Sequence, residues 1–308
     1  LRHYTYITVR PLPPFFTHRH RIVYSRIELV NDIAEIQHPA VRAVLAEARV
    51  PEGLEIHYDG DLPARSGLGS SSAFTVGLLN AVKTLYGTSL CKKALAAEAI
   101  RIEQQVIGEM VGSQDQTWAA HGGFNRFDFR TDGSISVKPV ALAENRERAL
   151  LGSLMLYYTG ISREAEVIAR SQVANFGARQ AELERIGGLV DEAEALLASD
   201  RPIDGIGALL HEGWQIKRGL ADGVTTDLVD DIYHRARQAG ATGGKLLGAG
   251  GGGFILLFAP AERHAAVRQA LAGLTEVPVD IDPDGSRVVY TSPALDPAST
   301  RLAAPAGD

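Results

Sequence analysis

The stretch LPARSGLGSSSAF, residues 62–74, constrains this chain more than any other segment. A proline, two glycines and three consecutive serines stand directly before a long apolar run, AFTVGLLNAVKTLYG. Gly67 and Gly69 permit a tight turn and a close approach of backbone to whatever lies opposite. Ser70, Ser71 and Ser72 can cap a helix and also present hydroxyls. The apolar run reads as a buried helix that ends near Gly87. A glycine loop feeding a helix start gathers free N–H groups at the positive end of a dipole, which suits a phosphate. An ordinary capped turn uses the same residues, so the rest of the chain has to separate the two.

The flanking pattern is mixed. Tyr4, Tyr6, Thr8 and Arg10 alternate with His3, Thr5, Ile7 and Val9, which predicts a strand already under way at the start. Together with the missing Met, this suggests an upstream segment. RIVYSRIELV (21–30) and GLEIHYDGDLP (53–63) read as strands, and 38–48 and 92–110 as helices. Residues 122–140 read as a hairpin turning at Asp132–Gly133. A buried strand leads into a helix over 152–165, and helices follow over 164–199, 204–221 and 225–239. GGKLLGAGGGGFILLFAP (243–260) is a glycine loop before a very apolar strand. A helix over 264–274 and a strand, turn and strand over 277–291 complete the pattern. No regular βαβ repeat occurs, which favours α+β. The polar AENRER run near 145–152 suggests a divide into 1–150 and 151–294, with a frayed Ala/Pro-rich tail at 295–308.

Bulk properties exclude several partners. The chain is 45% hydrophobic and 22% charged, with a net charge of −6 and no long basic run, which argues against nucleic acid. No apolar stretch is long enough to span a bilayer. The single cysteine, Cys91, cannot form an internal disulfide and fits a reducing cytoplasm. Conventional nucleotide motifs are missing: Gly244-Lys245 is followed by Leu246 rather than Ser or Thr. Gly248, Gly250 and Gly253 fit G-x-G-x-x-G but precede the strand FILLF, whereas a dinucleotide fold needs a helix there.

Two carboxylates carry the chemistry. Glu103 falls beside the apolar stripe of its helix, in phase with Ala99, Ile100, Val106 and Ile107, so it needs a cation, a donor or a metal. Asp115 lies twelve residues later in GSQDQ, as an N-cap for QTWAAHG or as a base toward a substrate hydroxyl. A phosphate cradle, a hydroxyl with a carboxylate for Mg²⁺, and a carboxylate base form a complete set for phosphoryl transfer.

P-x-x-S-G-L-G-S-S-S-A at 63–73 resembles the central motif of the galactokinase–homoserine kinase–mevalonate kinase–phosphomevalonate kinase (GHMP) superfamily, and KLLGAGGGGF at 245–254 resembles its C-terminal glycine motif. The resemblance implies a ribosomal S5 domain 2-like N-terminal domain, a ferredoxin-like C-terminal domain and an active site between them. It implies that Ser66, Gly67, Leu68, Gly69, Ser70, Ser71 and Ser72 cradle ATP. It also implies that Ser71, or Ser70 behind it, holds Mg²⁺ with Glu103, that Asp115 is the base, and that Gly248–Gly253 shape the substrate side. The superfamily's N-terminal motif, with a basic partner for the transferred phosphate, has no counterpart here.

LPPFFTHRHRIVYS, EIQHPAVRAVL, RIEQQVIGE, GSQDQ, GGFNRFDF and YYTGISREA together resemble the branch that phosphorylates the anomeric hydroxyl of D-glycero-D-manno-heptose 7-phosphate, on the way to GDP-heptose for surface polysaccharide. Fucokinase- and galactokinase-like kinases, and non-catalytic sensors of the same fold, share parts of the pattern. Arg163, Gly250 and Gly251 are the residues expected at the substrate, and Arg19, Arg21 and Lys245 are further cations for its phosphate. His18 and His20 read as a polar strand face. The expected partners are ATP and a sugar phosphate in the cytoplasm, with homo-oligomerisation left open.

Overall fold

The computed structural model describes residues 1–64, 66–161 and 165–292. Arg163 and the tail at 295–308 therefore lie outside the described residues. Strands β1 (Thr5–Pro11), β2 (His20–Val23), β3 (Ile27–Val30) and β4 (Leu54–Gly60) form a sheet in the order β1-β4-β2-β3. β1 runs antiparallel to β4, with Ile7 opposite Tyr58 and Val9 opposite Ile56. The stretch 21–30, expected as one strand, is a hairpin closed by a Tyr24 N–H to Arg26 carbonyl bond of 2.8 Å.

One face of this sheet is covered by α1 (Pro39–Ala48), α2 (Ser70–Leu85) and α3 (Lys92–Arg101). Their contact residues are aliphatic and in helical phase, such as Val41, Val44 and Leu45 on α1 and Val76, Leu79 and Val82 on α2. Gly77 lets α2 settle close on β1: a Cβ there would lie 2.8 Å from Ile7 Cδ1. The helix expected over 92–110 breaks at Arg101 into a π-helical turn, Ile102–Ile107, which ends at Gly108 in a left-handed conformation. Such turns rotate the following residues out of ordinary α phase. Gln104 Nε2 donates to Val111 O at 2.9 Å and to Ser113 Oγ at 3.2 Å, bracing the loop that leads to α4 (Gln114–His121). β5 (Asn125–Phe129) and β6 (Ile135–Pro139) form the expected hairpin.

A second core lies beyond a helix that the sequence pattern does not announce, α5 (Glu144–Gly152). Its polar face resembles a linker, but Leu150 is buried against Leu196, Leu197, Ile206 and Phe258. Strands β7 (Leu154–Tyr158), β8 (Gly243–Leu246), β9 (Phe254–Phe258) and β10 (Thr275–Val277) make an antiparallel sheet in the order β10-β7-β9-β8. Helices α6 (Ala165–Asn175), α7 (Gln180–Leu197), α8 (Gly205–Arg218), α9 (Asp227–Gln238) and α10 (His264–Ala270) complete this part. Met155, Tyr157, Ile255 and Leu257 pack on Trp214, Val229 and Ile232.

The strand, turn and strand expected over 277–291 is not present: β10 ends at Val277 and no strand comes after it among the described residues. Pro278 and Pro283 remove the donors a ladder needs. The segment instead crosses back to the first core. Gly123 N–H donates to Asp282 O, and Ser286 N–H to Ala119 O, both at 2.7 Å. No described helix is long and apolar enough to cross a membrane.

Candidate active site

Two glycine loops meet where the cores join. In the first, Gly69 is left-handed (φ 72°) and starts α2 without any side-chain cap, so the first N–H groups of α2 have no side-chain acceptor there. Its Cα faces Asp115 so closely that a Cβ would lie 3.0 Å from the Asp115 Cγ. In the second, a Cβ on Gly248 would lie 2.6 Å from Gly67 Cα, and one on Gly253 would overlap the Ser66 carbonyl. Phe254 N–H donates to Ser66 O at 3.1 Å, joining β9 directly to the first loop. Thr159, just past β7, donates its N–H to Gly253 O at 2.8 Å and accepts Gly253 N–H on Oγ1 at 3.1 Å. Backbone thus packs on backbone across the junction, which only glycine allows.

The π-helical turn delivers Glu103 under the start of α2. Glu103 is 1% exposed. Its Oε2 accepts from Ser72 Oγ at 2.9 Å and from Gln116 Nε2, while the equally enclosed Oε1 has no partner. Ser66 Oγ, at the first loop, is also buried and unpartnered. The hydroxyl bonded to Glu103 is that of Ser72, whereas the side chain of Ser71, the serine expected at the metal, makes no such bond among the described residues. Ser71 is exposed and Ser70 half-buried. The reason is phase: Ser72, Thr75, Val76 and Leu79 form the inward stripe of α2, all buried.

Asp115 is not the N-cap. Ser113 occupies that position, and Asp115 lies within the first turn of α4, where its side chain faces Gly69. It keeps access to solvent and has no hydrogen-bond or ion-pair partner among the described residues. Desolvation by the crowding protein, and then the charge of Glu103, push its carboxyl above the usual carboxylate range. Two carboxylates and a helix start without counter-cations among their described contacts form a site for a cation and an anion together.

The residues present fit Mg²⁺. Glu103 has an enclosed, unsatisfied oxygen, and no group of three or more His, Cys, Asp or Glu among the described residues could form an all-protein cage. Mg²⁺ takes one or two protein oxygens and fills the rest with phosphates and water.

Other expected residues fall differently. Gly251 N–H donates to Val224 O at 2.9 Å, and Gly250 packs on the Val224 backbone, so both hold their loop against the α8–α9 connection. Arg21 pairs with the buried Glu55 at 3.2 Å and lies over the Phe16 ring, and Arg19 donates to Pro51 O at 3.2 Å. His20 is buried and accepts the Leu54 N–H on Nδ1 at 3.3 Å, and His18 stacks on Phe16. Burial, then the nearby Arg19, pushes the His20 imidazole down.

Gln116 and Lys217 are residues of the site that sequence reasoning misses. Lys217, at the end of α8, donates from Nζ to Gly248 O at 2.5 Å and Leu246 O at 3.3 Å, strapping the second loop. Burial, then the charge of Lys245, pushes its ammonium down to about 7. No local pattern marks either residue, because each partner is distant in the chain or set by the π-helical turn.

Comparison with known proteins places the chain in a family. Residues 33–123 match the family described as GHMP kinases N terminal domain, and residues 193–277 match GHMP kinases C terminal. The chain is 30% identical over 232 residues to the D-glycero-alpha-D-manno-heptose 7-phosphate kinase of Campylobacter jejuni, covering 74% of this chain and 68% of that protein. It is 31% identical over 260 residues to the mevalonate kinase of Pyrococcus abyssi, covering 81% and 72%. Among solved structures, a D-glycero-D-manno-heptose 1-phosphate kinase from Bacteroides thetaiotaomicron superposes with a TM-score of 0.65 at 22% identity, covering 94% of this chain and 89% of that one. The Streptococcus pneumoniae phosphomevalonate kinase superposes with a TM-score of 0.69 at 14% identity, covering 89% and 90%. The chain belongs to the GHMP kinases: it has their two-domain α+β fold and is a phosphotransferase with an alcohol group as acceptor.

Proposed function

We propose that this GHMP kinase transfers the γ-phosphoryl group of ATP to the anomeric hydroxyl of D-glycero-D-manno-heptose 7-phosphate. The observation that carries the mechanism is the placement of Asp115 against Gly69 at the start of α2, with Glu103 enclosed beside them. Residues 66–72 cradle the ATP phosphates on free backbone N–H groups. Glu103 and Ser72 would hold Mg²⁺, which would supply charge neutralisation for the ATP phosphates. The acceptor hydroxyl donates to an Asp115 carboxylate oxygen. As the new O–P bond forms, its proton passes to Asp115, and the bond from γ-phosphorus to its bridging oxygen breaks to release ADP. A carboxyl held above its ordinary range is a stronger base than a free aspartate. The lobe built on the first sheet supplies the nucleotide side, and the lobe built on the second closes the cleft through residues 248–253.

The heptose phosphate is chosen for the likeness to the Campylobacter jejuni kinase and the sequence stretches that resemble its branch. On this reading the reaction precedes GDP-heptose formation, in the cytoplasm. A second reading, an acceptor without a phosphate, is favoured by the longer match to the Pyrococcus abyssi mevalonate kinase. Coupled ADP release with heptose 7-phosphate, mannose, galactose, fucose and mevalonate tests the choice. Preference for the heptose phosphate supports it, and preference for another acceptor keeps the mechanism and moves the substrate. ATP binding without turnover of any of them would favour a sensor.

A further inference from the structure

The two oxygens of Glu103 are not equivalent. Oε2 is held by two donors, Ser72 Oγ at 2.9 Å and Gln116 Nε2. Oε1 is enclosed and accepts from nothing. Gln116 is itself 0% exposed and directly follows Asp115 on the first turn of α4. A buried amide that spends a donor on one carboxylate oxygen fixes the rotation of that carboxylate. We infer that Gln116 is a positioning residue which, with Ser72, occupies Oε2 so that Glu103 presents a single oxygen to the nucleotide's divalent cation, and that this selects Mg²⁺ over Ca²⁺.

The inference rests on the proposed role of Glu103 at the metal and adds the reason for ion choice. Mg²⁺ demands near-ideal octahedral geometry, whereas Ca²⁺ accepts more ligands and readily takes a carboxylate through both oxygens. With Oε2 engaged by two donors, chelation through both oxygens would break a bond to Ser72 or to Gln116. The cost falls on Ca²⁺ and spares Mg²⁺. Gln116 also ties the first turn of α4, which bears Asp115, to the carboxylate beneath α2. One side chain therefore sets the spacing of the two acidic groups.

The test needs no turnover. The full chain is titrated calorimetrically with the Mg²⁺ and the Ca²⁺ complexes of a non-hydrolysable ATP analogue, and the ratio of the two dissociation constants is read. The wild type is expected to favour the Mg²⁺ complex. Gln116→Met keeps the length and removes the donor, and should narrow that preference by about tenfold or more, the effect typical of lost outer-shell partners. Gln116→Glu keeps the shape, adds a second acceptor and should narrow it as well. A merely structural role would weaken both complexes alike, so an unchanged ratio in Gln116→Met overturns the inference. Should that variant not fold, Gln116→Glu reads the same ratio, with the same outcome overturning it. Equal binding of both complexes by the wild type also overturns it. Binding of neither removes the nucleotide reading of the site first, and the inference with it.

Discussion

The two glycine loops are alike in composition and opposite in use. The first opens into a helix, so its glycines end at a row of free N–H groups with Ser72, Glu103 and Asp115 gathered around them. The second opens into β9, so its N–H and C=O groups are drawn into backbone bonds with Ser66, Thr159 and Val224. The element that a glycine loop opens into decides whether the loop binds an anion or holds another loop in place. On the proposed reading the first is the nucleotide site, and the second is chiefly the clamp that closes it.

This contrast is broken most severely at Asp115. Asp115→Asn should lower kcat by about two to four orders of magnitude, the usual worth of a positioned base, with little change in ATP affinity. Single-turnover kinetics and nucleotide titration check both halves. The same variant should be more stable than the wild type near neutral pH. The folded-state carboxyl is raised, so the stability that its neutral form contributes is present in acid and is lost as pH rises through the folded-state value. The gain from Asn should therefore shrink toward acid, read as melting temperature against pH.

Within residues 248–253, Gly253→Ala should be the most damaging glycine change, because its Cβ overlaps the Ser66 carbonyl at a φ of 101°. Denaturant unfolding should show a loss well above the roughly 1 kcal/mol typical of a point mutation. Of the serines, Ser72→Ala should raise the Mg²⁺ requirement severalfold, while Ser71→Ala should leave it near wild type. Equal effects would mean that α2 turns its other side to the metal when nucleotide binds.

The smallest effect is at Lys217. Its folded-state ammonium value, about 7, lies below the usual lysine range, so charging costs the folded state. Stability attributable to Lys217 should thus rise as pH climbs from about 7 through the lysine range. Lys217→Met should lie closest to the wild type at low pH and fall behind it at high pH, as the loss of the bonds to Gly248 and Leu246 is uncovered. A melting-temperature difference that does not vary with pH would remove the buried cation from the clamp.

Local placement is legible: the glycine turn and helix start in residues 62–74, Glu103 turned inward beside an apolar stripe, and Asp115 at the start of a short helix. Each of these depends on neighbours within a few positions. Which serine bonds Glu103 is not legible, because it depends on where α2 begins; once Ser70 is the first residue, Ser72 falls in phase with Val76 and Leu79. The π-helical turn, the engagement of Gln116 and the strap from Lys217 depend on packing between distant segments. The return of residues 278–286 to the first core is hidden by an alternating pattern that Pro278 and Pro283 prevent from forming a ladder. Similarly, α5 resembles a linker because one buried residue, Leu150, anchors an otherwise polar turn of chain.

The most direct measurement is ADP release by wild type and Asp115→Asn under saturating Mg²⁺-ATP, with heptose 7-phosphate as acceptor. Turnover by the wild type, a loss of about two orders of magnitude or more in the variant, and unchanged nucleotide affinity are the expected results. Near-normal turnover by Asp115→Asn would contradict the assignment of Asp115 as the base, and with it the division of labour between the two loops.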